Sequence, residues 1–143
     1  MSALRPFHIA FPVHDLESAR QFYGEVLGCP VGRTDPLWVD FNLMGHQITA
    51  HLTQRSDTDL VTNPVDGRQI PVRHWGVILT MSEWNALVQE LQQQSISFLV
   101  EPTIRFSGLA GEQATFFVQD PSGNTLEFKA FANDSMIFAP FDG

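Results

Sequence analysis

The sequence predicts a mixed α+β fold in which two βαβββ modules, each with a curved mixed sheet, form one open cup. Three observations lead there. Two helices of similar length stand out by an apolar stripe at three-and-four spacing, whereas the remaining apolar stretches are short and alternate with period two. Each helix is preceded by a short strand that carries a histidine, His8 in one case and His74 in the other. Those histidines recur after nearly half of the 143 residues, so a strand-helix-three-strand unit is duplicated along the chain.

The first strand is Phe7-His8-Ile9-Ala10-Phe11. The helix after it runs from about Asp15 to Leu27, with Leu16, Ala19, Phe22, Tyr23, Val26 and Leu27 on one face, Asp15 as cap and Gly28 as terminator. Strands follow at 29–34, 37–43 and 47–53, the last two joined by a turn at Asn42-Leu43-Met44-Gly45. Residues 54–73 are rich in Ser, Asp, Asn, Pro and Gly and read as a polar connection that serves as linker and lid together. The fifth strand spans His74 to Leu79. Ser82 is the predicted cap of a second helix that places Trp84, Leu87, Val88 and Leu91 on one face. Strands at 96–100, 115–119 and 125–131 complete the second half, with Asp120-Pro121-Ser122-Gly123-Asn124 turning between the last two.

Module one is thus expected at about 6–53, the linker at 54–73, module two at about 74–131 and a tail at 132–143, together one domain of 1–143. In the tail, Ile137, Phe138 and Phe141 can pack on a neighbouring subunit or on the chain's own sheet. A hydrophobic fraction of 43% with twelve Phe supplies a core, and the charged fraction of 17% argues against disorder. The lone Cys29 has no intrachain partner, favours a reducing compartment and reads as a small buried hydrophobe. Eight basic against sixteen acidic residues leave a net charge of −8 with no basic patch, which excludes nucleic acid as the expected partner. No signal peptide and no stretch of ~20 apolar residues is present, so no membrane association and a cytoplasmic location are expected.

Strand parity then decides which side chains meet. Phe7, Ile9, Phe11 and Val13 form the helix-facing side of the first strand, leaving His8 opposite. By the same alternation His74, His51 and Glu127 also face away from the helices, and Trp38 and Asp40 share that side. A carboxylate and several imidazoles gathered on one surface cost free energy unless they are paired or bound to a cation. One divalent metal ion answers that cost. Two imidazoles and one carboxylate make the facial triad typical of non-haem Fe(II), although the same donors suit Mn, Zn or Ni. Taken singly, a strand histidine is also an ordinary surface residue and an inward Glu half of a salt bridge. His14, at the helix entry, and His46, in a turn, are expected to be structural or exposed.

Two stretches carry a family resemblance: His8-Ile9-Ala10-Phe11 leading through Asp15-Leu16-Glu17-Ser18-Ala19 and Phe22-Tyr23 to Leu27-Gly28, and Phe117-Val118-Gln119-Asp120-Pro121-Ser122-Gly123-Asn124-Thr125-Leu126-Glu127-Phe128. Over about residues 6–131 the chain resembles the vicinal oxygen chelate superfamily, which includes glyoxalase I, extradiol ring-cleaving dioxygenases and the bleomycin- and fosfomycin-resistance proteins. The resemblance implies ligands on the first and last strands of each half, places filled by His8, His51, His74 and Glu127. In the extradiol branch it implies Fe(II) or Mn(II) on His8, His74 and Glu127, a small-molecule substrate of the aromatic diol type, and His51 as an acid–base group. Glyoxalase-I-like members usually have a Glu at the place of His51, and the departure from that pattern makes a lyase or isomerase the second expectation. A binding module without catalysis is the third, and the retained metal set speaks against it. Ring-cleaving members commonly carry four repeats rather than two. Arg105 and Glu112, before the seventh strand, are expected to form a mobile pocket wall, with Arg105 holding an acidic substrate group, while Trp38 and Asp40 shape the pocket. Members often form homodimers, which the Phe-bearing tail accommodates.

Overall fold

The chain is described by a computed structural model over residues 4–54 and 61–140. Residues 55–60 of the predicted linker and Phe141 of the tail lie outside these described residues. The chain divides into two compact units, Met1–Asp59 with Asp120–Asn124, and Leu60–Gln119 with Thr125–Gly143.

In the first unit β1 (His8–Val13) runs parallel to β4 (His46–Leu52), and β3 (Trp38–Leu43) and β2 (Val31–Asp35) follow antiparallel, giving the order β1-β4-β3-β2. A two-residue turn at Met44-Gly45, with φ of 53° and 94°, joins β3 to β4. Both positive angles match the twist of a hairpin. The helix opens at Asp15, whose carboxylate accepts the Ser18 N–H at 2.9 Å. Its first turn, α1 (Leu16–Ala19), is α-helical, but Arg20–Val26 continues as a π-helix rather than the uniform helix expected to Leu27. The wider turn shows in the Leu27 N–H, which reaches back five residues to the Phe22 carbonyl at 3.0 Å. Phe22 and Tyr23 are both buried, and the Tyr23 ring lies 5.0–5.3 Å from those of Phe11, Phe22 and Phe41. Phe7, expected on the helix side, instead precedes the strand and is exposed, with its N–H donated to His46 Nδ1.

The second unit repeats the pattern with differences that have physical causes. Where one strand was predicted from His74 to Leu79 there are two, β7 (His74–Trp75) and β8 (Ile78–Leu79), both parallel to β11 (Thr125–Phe131). Between them Gly76 lies so close to β11 that a Cβ would fall 1.6 Å from the Glu127 carbonyl oxygen. The helix α2 (Met81–Gln93) is capped by Thr80, not Ser82, because Glu83 completes a capping box: Thr80 Oγ1 accepts the Glu83 N–H at 3.2 Å and Glu83 Oε1 accepts the Thr80 N–H at 2.9 Å. Trp84, Leu87, Val88 and Leu91 are buried, as their spacing predicts. The strand expected at 96–100 is β9 (Val100–Arg105), since the Ile96 N–H is drawn into the end of α2 by the Leu91 carbonyl at 3.2 Å. With β10 (Gln113–Gln119) it completes the order β7-β11-β10-β9.

Part of the linker is also ordered. β5 (Thr62–Val65) and β6 (Arg68–Pro71) form a hairpin around Asp66-Gly67, whose φ angles of 48° and 83° again mark a primed turn. Ile70 packs with Val100 and Phe117, flanked by Val65 and Leu99, while Arg68 donates to the Leu99 carbonyl at 3.1 Å. Beyond β11, Asn133 caps a short 3-10 turn, Ile137 is half-buried and Phe138 is 95% exposed. Among the described residues no helix is long and apolar enough to cross a membrane.

Candidate metal centre

Period-two alternation along β11 buries Leu126, Phe128 and Ala130 against the helix and leaves Glu127 and Lys129 half-buried on the other face. His74 shares that other face through its register with Thr125. Its Nε2 stands 3.4 Å from Glu127 Oε1. Its Nδ1 lies 2.8 Å from the Pro71 carbonyl, which can only accept, so Nδ1 carries a proton and Nε2 is the atom turned toward the carboxylate. Thr115 Oγ1 donates to the remaining Glu127 oxygen at 2.5 Å. The buried Phe117 meets the His74 ring edge-on at 5.1 Å and fixes its tilt.

These contacts shape the titration of both groups. The hydrogen bond to Glu127 raises the His74 pKa foremost, against the opposing effect of burial, and the Pro71 carbonyl adds to the rise. Burial by itself would raise the Glu127 pKa, but the bonds from His74 and Thr115 outweigh it and the carboxyl is held below its ordinary value. An imidazole nitrogen and a carboxylate oxygen this close, each oriented by a partner on its far side, are the donors a divalent cation requires.

The first unit offers a matching face. Thr49 accompanies Gln47 and His51 on β4, opposite Asn42, Asp40 and Trp38 of β3, with His8, Ala10 and Pro12 on β1. Register makes the internal repeat explicit. His8 pairs with Gln47 as His74 pairs with Thr125, so the residue two positions on is Thr49 in one unit and Glu127 in the other. His51, which pairs with Pro12, is therefore the counterpart of Lys129, which pairs with Ile78, and not of Glu127. Asp40 is only 8% exposed and accepts from Thr49 Oγ1 at 2.6 Å and from Gln47 Nε2 at 3.4 Å. Trp38 is half-buried opposite His51, with the Arg33 guanidinium over its ring. His8 and His51 are exposed.

The other candidates have identifiable partners. Arg105 lies on the Glu127 side of β9 through its pairing with Gln113, and its Nε is 3.2 Å from Asp66 of the β5–β6 hairpin while its guanidinium covers Phe106. Glu112 accepts the Gly108 N–H at 2.9 Å and so closes the loop between β9 and β10 upon itself. His14 holds the turn 120–124 within the first unit through Ser122 and the Pro121 carbonyl, and His46 accepts from Phe7, so both are structural. In the same unit Tyr23 donates to the buried Asp120 at 2.7 Å, which also accepts the Ser122 and Asn124 N–H groups. Cys29 is buried, which pushes its thiol up to about 12 and keeps it inert. Within each unit, among the described residues, no three His, Cys, Asp or Glu side chains form a complete ligand set. Sequence reasoning did not find Thr115, the Pro71 carbonyl or the Asp66-Gly67 turn; only the last left a local signal, the Asp-Gly pair between two strand-like runs.

Comparisons with known proteins agree with this architecture. The model of the Glyoxalase/Bleomycin resistance protein/Dioxygenase superfamily matches residues 5–128. A glyoxalase/bleomycin resistance protein/dioxygenase from Alicyclobacillus acidocaldarius is similar at 34% identity with a TM-score of 0.80, over 93% of this chain and 96% of that one. A virulence protein of Salmonella typhimurium is 25% identical over 124 residues, 87% of this chain and 82% of its own length. A lactoylglutathione lyase from Agrobacterium tumefaciens shares the fold, with a TM-score of 0.64 at 21% identity over 91% of this chain and 94% of its own.

Proposed function

The chain belongs to the glyoxalase/bleomycin resistance protein/dioxygenase superfamily, and from that premise we propose that it is a metal-dependent enzyme acting on a small molecule with two adjacent oxygens. The observation that carries this reading is the His74–Glu127 pair, with Nε2 and Oε1 3.4 Å apart and each group oriented from behind. His8, the first unit's counterpart of His74, is the proposed third ligand. Fe(II) is the favoured ion, with Mn, Zn and Ni as alternatives. A redox-active ion held by such a set would supply the Lewis acidity that ionises a diol and a path by which the diol's own electrons reach dioxygen.

Within that framework the preferred chemistry is ring cleavage of an aromatic diol. Thr49 supports it, because the position equivalent to Glu127 offers a hydroxyl already committed to Asp40 and no carboxylate to serve as a fourth ligand, so open positions are retained for substrate and oxygen. His51, one rung beyond, is the proposed acid–base group: it takes a proton from the diol and returns one as the ring opens. A lyase or isomerase of the glyoxalase type needs a base beside a carbonyl, and Thr49 is not one. The experiment is elemental analysis of the purified protein with its His8→Ala, His74→Ala and Glu127→Ala variants, then oxygen uptake with a panel of catechols after anaerobic Fe(II) loading. Metal in the parent, its loss from the variants and oxygen uptake are expected. A fully metallated protein that turns over hemithioacetals or epoxides independently of air would replace the dioxygenase reading.

A further inference from the structure

The face of the second sheet that carries His74 and Glu127 continues as an ordered ladder. One rung beyond Glu127, about 7 Å along the strand at two residues' rise, Lys129 stands opposite Thr115, which in turn stands opposite Thr103. The next rung is Phe131, Gln113 and Arg105. Both basic side chains are thus on one face of a chain that has only eight Lys and Arg against sixteen acids.

Their situations differ. Arg105, the residue expected to bind an acid, has its Nε against Asp66. Lys129 is half-buried and makes no ion pair with any described carboxylate; its ammonium lies 5.9 Å from the Phe131 ring centroid and Glu127 feels it only at a distance. A partly desolvated ammonium with no direct ion pair among the described residues, attracted by Glu127 only at longer range, is an unusual expenditure of stability in an acidic protein, and it is relieved when an anion arrives. The polar lining around it, Thr103, Thr115 and Gln113, offers uncharged groups, and Glu127, one rung away, is engaged by His74 and Thr115. Lys129 also occupies the register position that His51 occupies in the other unit.

We propose that Lys129 is the specificity-determining residue for an organic acid, binding the substrate's carboxylate one rung from the oxygen pair. This rests on the proposed function, since the distance is measured from Glu127. The substrate class is then an aromatic diol bearing a carboxylate across the ring from its two hydroxyls, with Arg105 neutralised by Asp66 and so removed from competition.

The probes are catechol and 3,4-dihydroxybenzoate, titrated calorimetrically into Fe(II)-loaded protein without oxygen. At low salt the acid binds on the order of tenfold more tightly than catechol, and the margin shrinks as salt screens the charge. In Lys129→Met the two probes bind alike, and in Lys129→Arg the preference returns; circular dichroism checks that each variant is folded. Equal affinity for the two probes in the parent, or a preference that survives in Lys129→Met, overturns the assignment. Should neither probe bind, the oxygen-chelating reading fails by itself. Benzoate titrated into metal-free protein then decides the anion site: binding that Lys129→Met abolishes supports it, and no binding by the parent overturns it.

Discussion

The carboxylate of Glu127 is held from two sides, by Thr115 and by His74, and that arrangement sets the pH response of the metal-free chain. His74 has a raised pKa, so its contribution is fully present below the ordinary imidazole value of 6.5 and is lost as pH rises through the raised folded value. Glu127 has a lowered pKa, so its contribution is present above the ordinary 4.5 and is lost as pH falls through the lowered folded value. Metal-stripped protein is therefore expected to have its highest melting temperature from this pair between about pH 4.5 and 6.5, falling toward alkaline pH. In His74→Gln that alkaline fall should flatten; thermal scans across pH showing an unchanged slope would remove the pair from the account. Alternation along the strands was enough to place Glu127 and His74 on one face. The tautomer of His74 was not legible, because the Pro71 carbonyl that dictates it is positioned by a hairpin whose packing on Val100 and Phe117 involves residues distant in sequence.

At the scale of elements, Gly76 is where backbone crowding governs both a strand and a site. A methyl group there has no space beside the Glu127 carbonyl, so Gly76→Ala must push β7 away from β11. We expect a loss of about 3 kcal/mol, the upper end for overpacking, read by chemical denaturation, together with weaker metal retention. Stability within experimental error of the parent would show that the strands separate freely. Helix positions were legible because their apolar stripes are long and regular, whereas their ends were not. Thr80 and Ser82 are both competent caps by composition, and only the reciprocal bond with Glu83 selects Thr80. Likewise the π-helical stretch in Arg20–Val26 differs from an α-helix by one residue in hydrogen-bond reach and lasts only seven residues. Periodicity does not resolve them. The β9 start was misplaced because Ile96 and Phe98 look like strand residues but serve the end of α2 and an edge-on contact with Phe116.

For the whole molecule, duplication was the most legible property, since two histidine-bearing strands, two helices and two sets of three strands recur in order. What remained hidden was the relative register of the copies, because in neither half does the sequence reveal which residue lies beside which across parallel strands. Structure answers with Thr49 opposite Ala10 and, at the matching rung, Glu127 beside Gly76. The tail's two predicted placements are also separated in part: Phe138 does not lie on the chain's own sheet. The Asp40–Thr49 bond has a further consequence for how such a protein can change over generations. Introducing an acid at position 49 would set two negative charges together in a place with little water, so Thr49→Glu alone should cost roughly 2–4 kcal/mol, whereas Thr49→Glu with Asp40→Asn should recover most of it, as a double-mutant cycle by thermal denaturation would reveal. Additive effects of the two changes would refute this. If they couple, neutralising Asp40 has to come first, and the first half of the duplication is ratcheted away from a second acidic ligand however strongly selection favours one.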